Sequence, residues 1–188
     1  MSLMKQERPN TRSAIIEAAF DVFSRDPSAA LSDVATKAGV GRATLHRHFA
    51  SRDDLVFELT KIAIDELDIA VQAAVKDAPS WTAALERSLH AVIPLANRNW
   101  FLSQERAVQN PEFAAALAAE HAELIEAIDQ ARKEGAFAPD APTSWIAAAY
   151  DSLIYAAWET VRRGELTPSQ AADMAWRTLT QGLNGDMQ

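Results

Sequence analysis

The sequence predicts an all-α protein of about nine helices, with a three-helix unit at the N-terminus followed by a larger helical domain. Apolar residues recur at intervals of three and four along most of the chain, and no segment alternates with a period of two. Proline, glycine and capping residues divide the 188 residues into segments of helical length. We expect the two domains to span residues 1–55 and 56–188.

The N-terminal unit is predicted from three segments. Thr11 can cap a helix that runs to about Ser24, with a wide apolar face for packing. A second helix, Leu31 to Ala38, carries one apolar stripe and stops at Gly39, because glycine readily adopts the left-handed conformation of a helix stop. A third helix begins at Arg42, with Leu45 and Phe49 facing inward one turn apart.

The outward face of this third helix is rich in hydrogen-bond donors. The stretch from Arg42 to Arg52 contains three arginines, two histidines and a threonine, and no Asp or Glu. Charge alone favours an ordinary solvated basic surface. The arrangement of a helix, a Gly-Val turn and a second helix instead favours a helix-turn-helix, which places such a face in the major groove of DNA.

The segment AGVGRATLHRHFASRDDL resembles the signature of the TetR family of bacterial regulators. The residues that match the family pattern are Thr44, Leu45, His48, Phe49, Arg52 and Leu55, and the motif resemblance covers roughly residues 11–59. Two positions depart from the pattern. His46 stands where the family usually has a tyrosine that contacts phosphate, and Ala30 stands where a Thr or Ser usually precedes the second helix.

The resemblance implies a ligand-responsive transcriptional regulator, most simply a repressor. Such a protein binds double-stranded DNA at a palindromic operator as a homodimer and is released by a small, partly apolar effector. We expect Arg47 to reach base edges, and Thr44 and Arg52 to hold phosphates. The complete set of expected DNA-binding residues is Arg42, Ala43, Thr44, His46, Arg47, His48 and Arg52.

Capping residues and helix-breaking residues predict the remaining helices. Ser51 caps a long helix from Arg52 to about Lys76, with two acidic residues in its first turn where the helix dipole favours them. Prolines and capping residues then predict helices over residues 81–96, 100–108, 111–134, 144–163 and 168–181. We expect Pro94 to bend the first of these and residues 97–99 to interrupt the chain before the second.

The eighth helix is apolar on more than one side, so it is expected to be buried on more than one side. One interpretation is that it packs with the ninth helix inside a single protomer. The resemblance implies the other, in which both helices pair with their copies in a dimer. The expected interface residues are Ala148, Ser152, Tyr155, Ala156, Ala172, Ala175, Trp176 and Leu179.

Aromatic, histidine and arginine side chains between these regions are candidates for the effector site, although in a helical domain most such residues are core. A regulator of this family binds its effector among these helices. The candidates are His90, Trp100, Phe101, Arg106, Phe113, His121 and Trp145, and Trp81 is a further aromatic residue of the same region.

Composition narrows the function classes. The chain has no cysteine, which excludes thiolate chemistry and fits a cytoplasmic location, and no apolar run approaches membrane-spanning length. Residues 1–60 hold eight basic and eight acidic side chains, so the net charge of -8 lies in the remainder.

We expect neither an enzyme nor a cofactor or metal site. Glu120, His121 and Glu123 are close together, but no second Glu-x-x-His accompanies them. The rival interpretation is a helical ligand-binding or metal-carboxylate protein with a coincidental helix-turn-helix.

Overall fold

The computed structural model describes residues 10–104 and 110–182, and within these ranges it contains α-helices and turns but no strand. The helices are α1 (Thr11–Phe23), α2 (Leu31–Ala38), α3 (Arg42–His48), α4 (Arg52–Val75), α5 (Trp81–Val92), α6 (Ala96–Gln104), α7 (Pro111–Lys133), α8 (Thr143–Arg162) and α9 (Pro168–Gln181). The all-α prediction is confirmed. None of these helices is both long and apolar enough to cross a membrane.

The ends of the helices largely follow the expected local chemistry. Ser51 accepts a hydrogen bond from the Asp54 backbone, and the Asp54 carboxylate accepts one from Ser51, both at 3.0 Å. Thr167 and Gln170 form a similar box at the start of α9, with Pro168 as its first residue. At the start of α1 the cap is Asn10, whose side chain accepts from the Arg12 backbone, and not the expected Thr11.

The expected interruption at residues 97–99 is wrong. Ile93–Leu95 instead form a single 3₁₀ turn around Pro94, and α6 begins at Ala96, so Asn97 and Arg98 lie in its first turn. Proline lacks an N–H and fits the first turn of a new helix better than the end of the previous one. The part of the expected segment after Gln104 lies outside the described residues.

The helices pack as a small N-terminal layer on a larger bundle. Helices α1, α2 and α3 share a core with the first half of α4, centred on fully buried Phe20, Phe23, Leu45 and Leu55. Helix α4 then continues into the bundle formed by α5, α7, α8 and α9. The boundary that we expect after residue 55 therefore falls within a continuous helix.

Helix α6 lies between the two layers. Phe101 of α6 is fully buried and meets Phe20 of α1 edge to face, with ring centroids 5.4 Å apart. On its other side Trp100 packs against Tyr155 of α8, with ring centroids 4.3 Å apart and the rings tilted by 30°. This short helix thus connects the N-terminal layer to α8.

Candidate nucleic-acid interface and internal cavity

The turn between α2 and α3 fixes how α3 is presented. Gly39 has φ 67° and ψ 30°, and no atom lies within 4 Å of the position its Cβ would occupy. Glycine is therefore required by the left-handed backbone and not by lack of space. The backbone N–H of Val40 donates to the Ala35 carbonyl at 3.0 Å, and that of Gly39 to the Thr36 carbonyl at 3.2 Å, which closes the helix end.

Helix α3 is anchored by its buried side. Leu45 is completely buried and Phe49, which follows the helix, is 4% exposed. The guanidinium of Arg12 lies 5.5 Å from the centroid of the Phe49 ring and pairs with Glu58 of α4, so it ties α1 to both. The outward residues of α3 are consequently held on a rigid support.

The expected DNA-binding residues lie where the sequence predicts an outward face. Arg42, Ala43, His46, Arg47 and His48 are exposed, and Thr44 is half-buried. A guanidinium nitrogen of Arg47 donates to the Thr44 hydroxyl at 3.0 Å, so these two side chains are adjacent on the surface. Five exposed residues of one short helix therefore form a surface that contains no carboxylate.

Arg52 has a structural role that the sequence does not predict. Its guanidinium donates to the Pro27 carbonyl at 2.6 Å and lies 4.7 Å from the centroid of the Phe23 ring. It therefore braces the turn between α1 and α2 against the start of α4. If Arg52 contacts a phosphate of DNA, it does so with the same guanidinium that holds this turn.

The bundle contains a cavity of about 290 Å³ bounded by α4, α5, α7 and α8. This volume is close to the lower end of the range for small-molecule sites. Most of the wall is apolar, with Leu67 and Val71 from α4, Leu85 from α5 and Leu124 from α7. The aromatic walls are Trp81 and Tyr150, and the four acidic ones are Asp68, Glu120, Glu123 and Asp151.

Two groups hold the walls of this cavity in place. Glu134, in the turn that directly follows α7, accepts hydrogen bonds from the backbone N–H groups of Trp81 and Thr82, at 3.0 and 2.9 Å, and from the Thr82 hydroxyl. These bonds lower the pKa of the Glu134 carboxyl, and the bond from the Thr82 hydroxyl has the largest effect. The Tyr150 hydroxyl donates to the Leu85 carbonyl, and burial raises the pKa of this phenol.

The cavity acids differ from ordinary surface carboxylates. Burial, reinforced by the nearby Asp68 and Glu123 carboxylates, raises the pKa of Glu120. Asp151 is exposed, yet burial of its carboxyl group raises its pKa too, and His121 opposes that rise. Burial therefore disfavours the ionised forms of Glu120 and Asp151.

The expected effector residues that the structure describes do not line this cavity. Phe101 belongs to the core against Phe20, and Phe113 packs on Phe57 with ring centroids 5.0 Å apart. His90 pairs with Asp173 of α9 at 3.2 Å, and Trp100 stacks on α8. His121 is exposed, as is Trp145, which keeps 71% of its surface. Arg106 lies outside the described residues.

Of the aromatic residues that the sequence singles out in this region, Trp81 is the one that lines the cavity. Two of the acidic walls, Glu120 and Glu123, were considered in the sequence only as part of a metal site, which was rejected because no second Glu-x-x-His accompanies them. Among the described residues, no group of three or more His, Asp or Glu side chains is arranged to hold a metal ion.

The expected dimer-interface residues divide into two groups. Ala148, Ser152, Tyr155 and Ala156 are exposed along one side of α8, and Trp176 and Leu179 of α9 are half-buried. Ala172 and Ala175 are instead 0% and 3% exposed, inside the protomer where α9 meets its neighbours. These two alanines offer no surface to a partner, so placing them in the interface was wrong.

A helix-turn-helix with a basic, acid-free outward face, joined to a helical bundle with a half-open cavity, defines a DNA-binding regulator. Comparisons with known proteins agree. Residues 15–59 match the family described as bacterial regulatory proteins, tetR family.

The whole chain is also similar to a transcriptional repressor, LfrR of Mycolicibacterium smegmatis. The two are 31% identical over 97% of this chain and 95% of that protein. The chain belongs to the TetR family of bacterial transcriptional regulators.

Solved structures support the same assignment. LfrR from Mycobacterium smegmatis in complex with proflavine superposes with a TM-score of 0.70 and 30% identity, over 93% of this chain and 98% of that one. The ketosteroid regulator KstR2 of Mycobacterium tuberculosis has a TM-score of 0.75 at 20% identity, over 96% of this chain and 98% of that chain, which shows a shared fold.

Proposed function

We propose that the protein is a repressor that binds a palindromic operator as a homodimer and leaves it when a small, partly apolar effector enters the bundle cavity. The observation that carries this proposal is the exposed face of α3, which presents Arg42, Ala43, His46, Arg47 and His48 without a carboxylate. Phosphate binding needs such local positive character even where the net charge of the chain is -8.

The proposed dimer surface is the exposed side of α8 together with part of α9. Ala148, Ser152 and Ala156 have small side chains, which permit close approach of a second helix. Trp145 begins the same stripe, so we transfer it from the effector site to this surface. A two-fold dimer would present two copies of α3 to half-sites about one helical turn apart.

The proposed effector site is the cavity between α4, α5, α7 and α8. Its α4 wall includes Leu67 and Asp68, on the same continuous helix that begins at the end of the helix-turn-helix. A ligand that prefers a different position of α4 would shift the population of dimers away from the DNA-binding arrangement. The LfrR structure with proflavine gives a precedent for a small planar ligand in a similar protein.

Selection of bound duplexes from a random pool tests the proposal. We expect one enriched palindrome whose binding exceeds non-specific binding by about 10³-fold or more. Absence of an enriched palindrome, or weak binding without sequence preference, would contradict it. The Arg47→Ala protein serves as the control, because Arg47 is exposed and we expect its loss to keep the fold while removing the central donor of α3.

A further inference from the structure

The acidic walls of the cavity indicate the charge of its ligand. The residues that line it include four carboxylates, and none of these lining residues is Lys, Arg or His. Within the described parts of the chain, no hydrogen bond or ion pair compensates Glu120. A carboxylate placed in this way is unfavourable in the empty protein, and an arriving positive charge would make it favourable.

The rest of the wall indicates what kind of cation fits. Leu67, Val71 and Leu124 would strip water from a ligand, which a small hydrated metal ion resists and an organic cation tolerates. The indole of Trp81 adds an aromatic face, and cations are attracted to such faces. Anionic ligands, such as fatty acids and acyl thioesters of coenzyme A, would meet repulsion from every acidic wall.

The carboxylates come from three different helices around the cavity. Asp68 belongs to α4, Glu120 and Glu123 to α7, and Asp151 to α8. Asp68 accepts a hydrogen bond from Gln72 at 2.7 Å, so part of its charge is already compensated. His121 lies near Asp151 and partly offsets its charge, whereas Glu120 faces the Asp68 and Glu123 carboxylates, so Glu120 gains most from a cation.

We propose that the cavity binds a compact, largely apolar organic cation, with Glu120 as its main counter-ion, Asp151 as a second and the indole of Trp81 as an aromatic wall. This inference rests on the proposed function of the cavity as the effector site. It adds the chemical class of the effector, an aromatic or quaternary amine. It also identifies the residue that discriminates this class from neutral and anionic molecules of the same shape.

Matched ligands of different charge test the proposal in the full-length protein. Calorimetry at pH 8 would compare proflavine, a cation, with acridine, which is uncharged at that pH, and with anthracene-9-carboxylate. Benzyltrimethylammonium and its uncharged carbon isostere would form a second pair of another shape. We expect at least one cation to bind ten-fold or more tightly than its neutral counterpart, and the anion to bind more weakly than either.

Variants assign the effect to the cavity. We expect Glu120→Gln to weaken cation binding ten-fold or more and to leave the affinity for the neutral ligands unchanged. Glu126→Gln is the matched control, because Glu126 lies on the same helix, is exposed and does not line the cavity. Equal affinities across the charge series, no binding of either cation, or equal losses in both variants would overturn the proposal.

A release assay, which measures whether a ligand dissociates the protein from the operator found by random-pool selection, distinguishes failure of this inference from failure of the proposed function. If a cation binds through Glu120 but the operator complex survives saturation, effector-driven release fails while the ligand class stands. If instead a neutral or anionic ligand dissociates the operator and the cations do not, the ligand class is overturned while the repressor function stands.

Discussion

The guanidinium of Arg98 lies 4.3 Å from the centroid of the Phe20 ring, so a residue of α6 covers the core of the N-terminal layer. The same guanidinium pairs with Glu17 of α1 at 2.6 Å and with Glu66 of α4 at 2.8 Å. Arg98 itself is only 8% exposed. One buried arginine thus joins α6 to α1 of the N-terminal layer and to α4, and Glu66 immediately precedes the cavity residues Leu67 and Asp68.

We therefore expect Arg98→Ala to destabilise the protein by about 1–3 kcal/mol. This is less than for a fully buried ion pair, because the Glu17 and Glu66 side chains keep 60% and 39% of their exposure. Urea unfolding measures the effect. Arg163→Ala is the control, since Arg163 pairs with Glu159 on the surface of α8. Equal losses in the two variants would show that Arg98 contributes no more than a surface ion pair.

Arg47 and Arg52 are predicted to differ in what they contribute. Arg47→Ala should leave stability unchanged, relax the sequence preference and weaken operator binding by about 1–3 kcal/mol, because this exposed side chain is placed to reach base edges. Competition binding against operator variants measures the preference. If the Arg47→Ala protein kept the parental sequence preference, Arg47 would not be a residue that reads the bases.

For Arg52→Ala we expect a different result, because Arg52 holds the Pro27 carbonyl and covers Phe23. The variant should weaken binding to all sequences alike and also unfold at lower urea concentration than the parent. Binding and unfolding are measured on the same preparation. Parental stability would show that the bracing contacts of Arg52 contribute nothing to the fold.

Ala156→Arg tests the dimer surface on α8. Because Ala156 is exposed in the protomer, the substitution should leave the fold intact, but it would place a charged side chain between paired helices. We expect a monomer by light scattering and weak operator binding. Ala119→Arg, on the exposed side of α7, is the matched control and should remain dimeric. A monomeric parent protein at micromolar concentration would exclude the dimer itself.

Glu120→Gln should stabilise the ligand-free protein by about 0.5–2 kcal/mol at neutral pH while it impairs cation binding. The neutral amide removes both the burial of a charge and the repulsion from Asp68 and Glu123, which together raise the pKa of Glu120. Thermal unfolding of the variant and of Glu126→Gln gives the comparison. A variant less stable than the parent would mean that Glu120 makes favourable contacts in the empty cavity.

The helices could be predicted from the sequence because their signals are local. Gly39, Ser51 and Thr167 each act on residues within four positions, and a spacing of three and four identifies the buried side of a helix. The outward face of α3 follows from the same periodicity once Leu45 and Phe49 are placed inside. Expectations that rest on local periodicity were therefore the most accurate.

The cavity could not be predicted in this way. It forms where α4, α5, α7 and α8 converge, and Leu67 and Tyr150 on its wall are far apart in sequence. The candidates were chosen for their chemistry, which selected Phe101 and Phe113, yet long-range packing places both in the core. Ala172 shows the same limit, because an apolar helix face does not reveal whether its neighbour belongs to the same protomer.

The last prediction concerns pH. Because the pKa values of Glu120 and Asp151 are raised above the ordinary carboxyl values of 4.5 and 3.8, these groups keep their protons up to a higher pH in the acid range than surface carboxyls do. A bound cation favours their ionised forms, so binding releases protons. Affinity for proflavine should therefore rise as the pH increases from that acid range towards neutrality, by up to about ten-fold per pH unit for one released proton, and then level off.

Calorimetry in buffers of different ionisation enthalpy would count the released protons directly. Asp68 and Glu123 also face the cavity and add negative charge, whereas burial raises the pKa of Tyr150 and keeps its phenol neutral throughout this range. His121 acts on Asp151, so His121→Gln is the control for a contribution from the imidazole. We expect Glu120→Gln to flatten the pH profile and His121→Gln to retain most of it. If Glu120→Gln released as many protons on cation binding as the parent protein, another group would be the source of those protons.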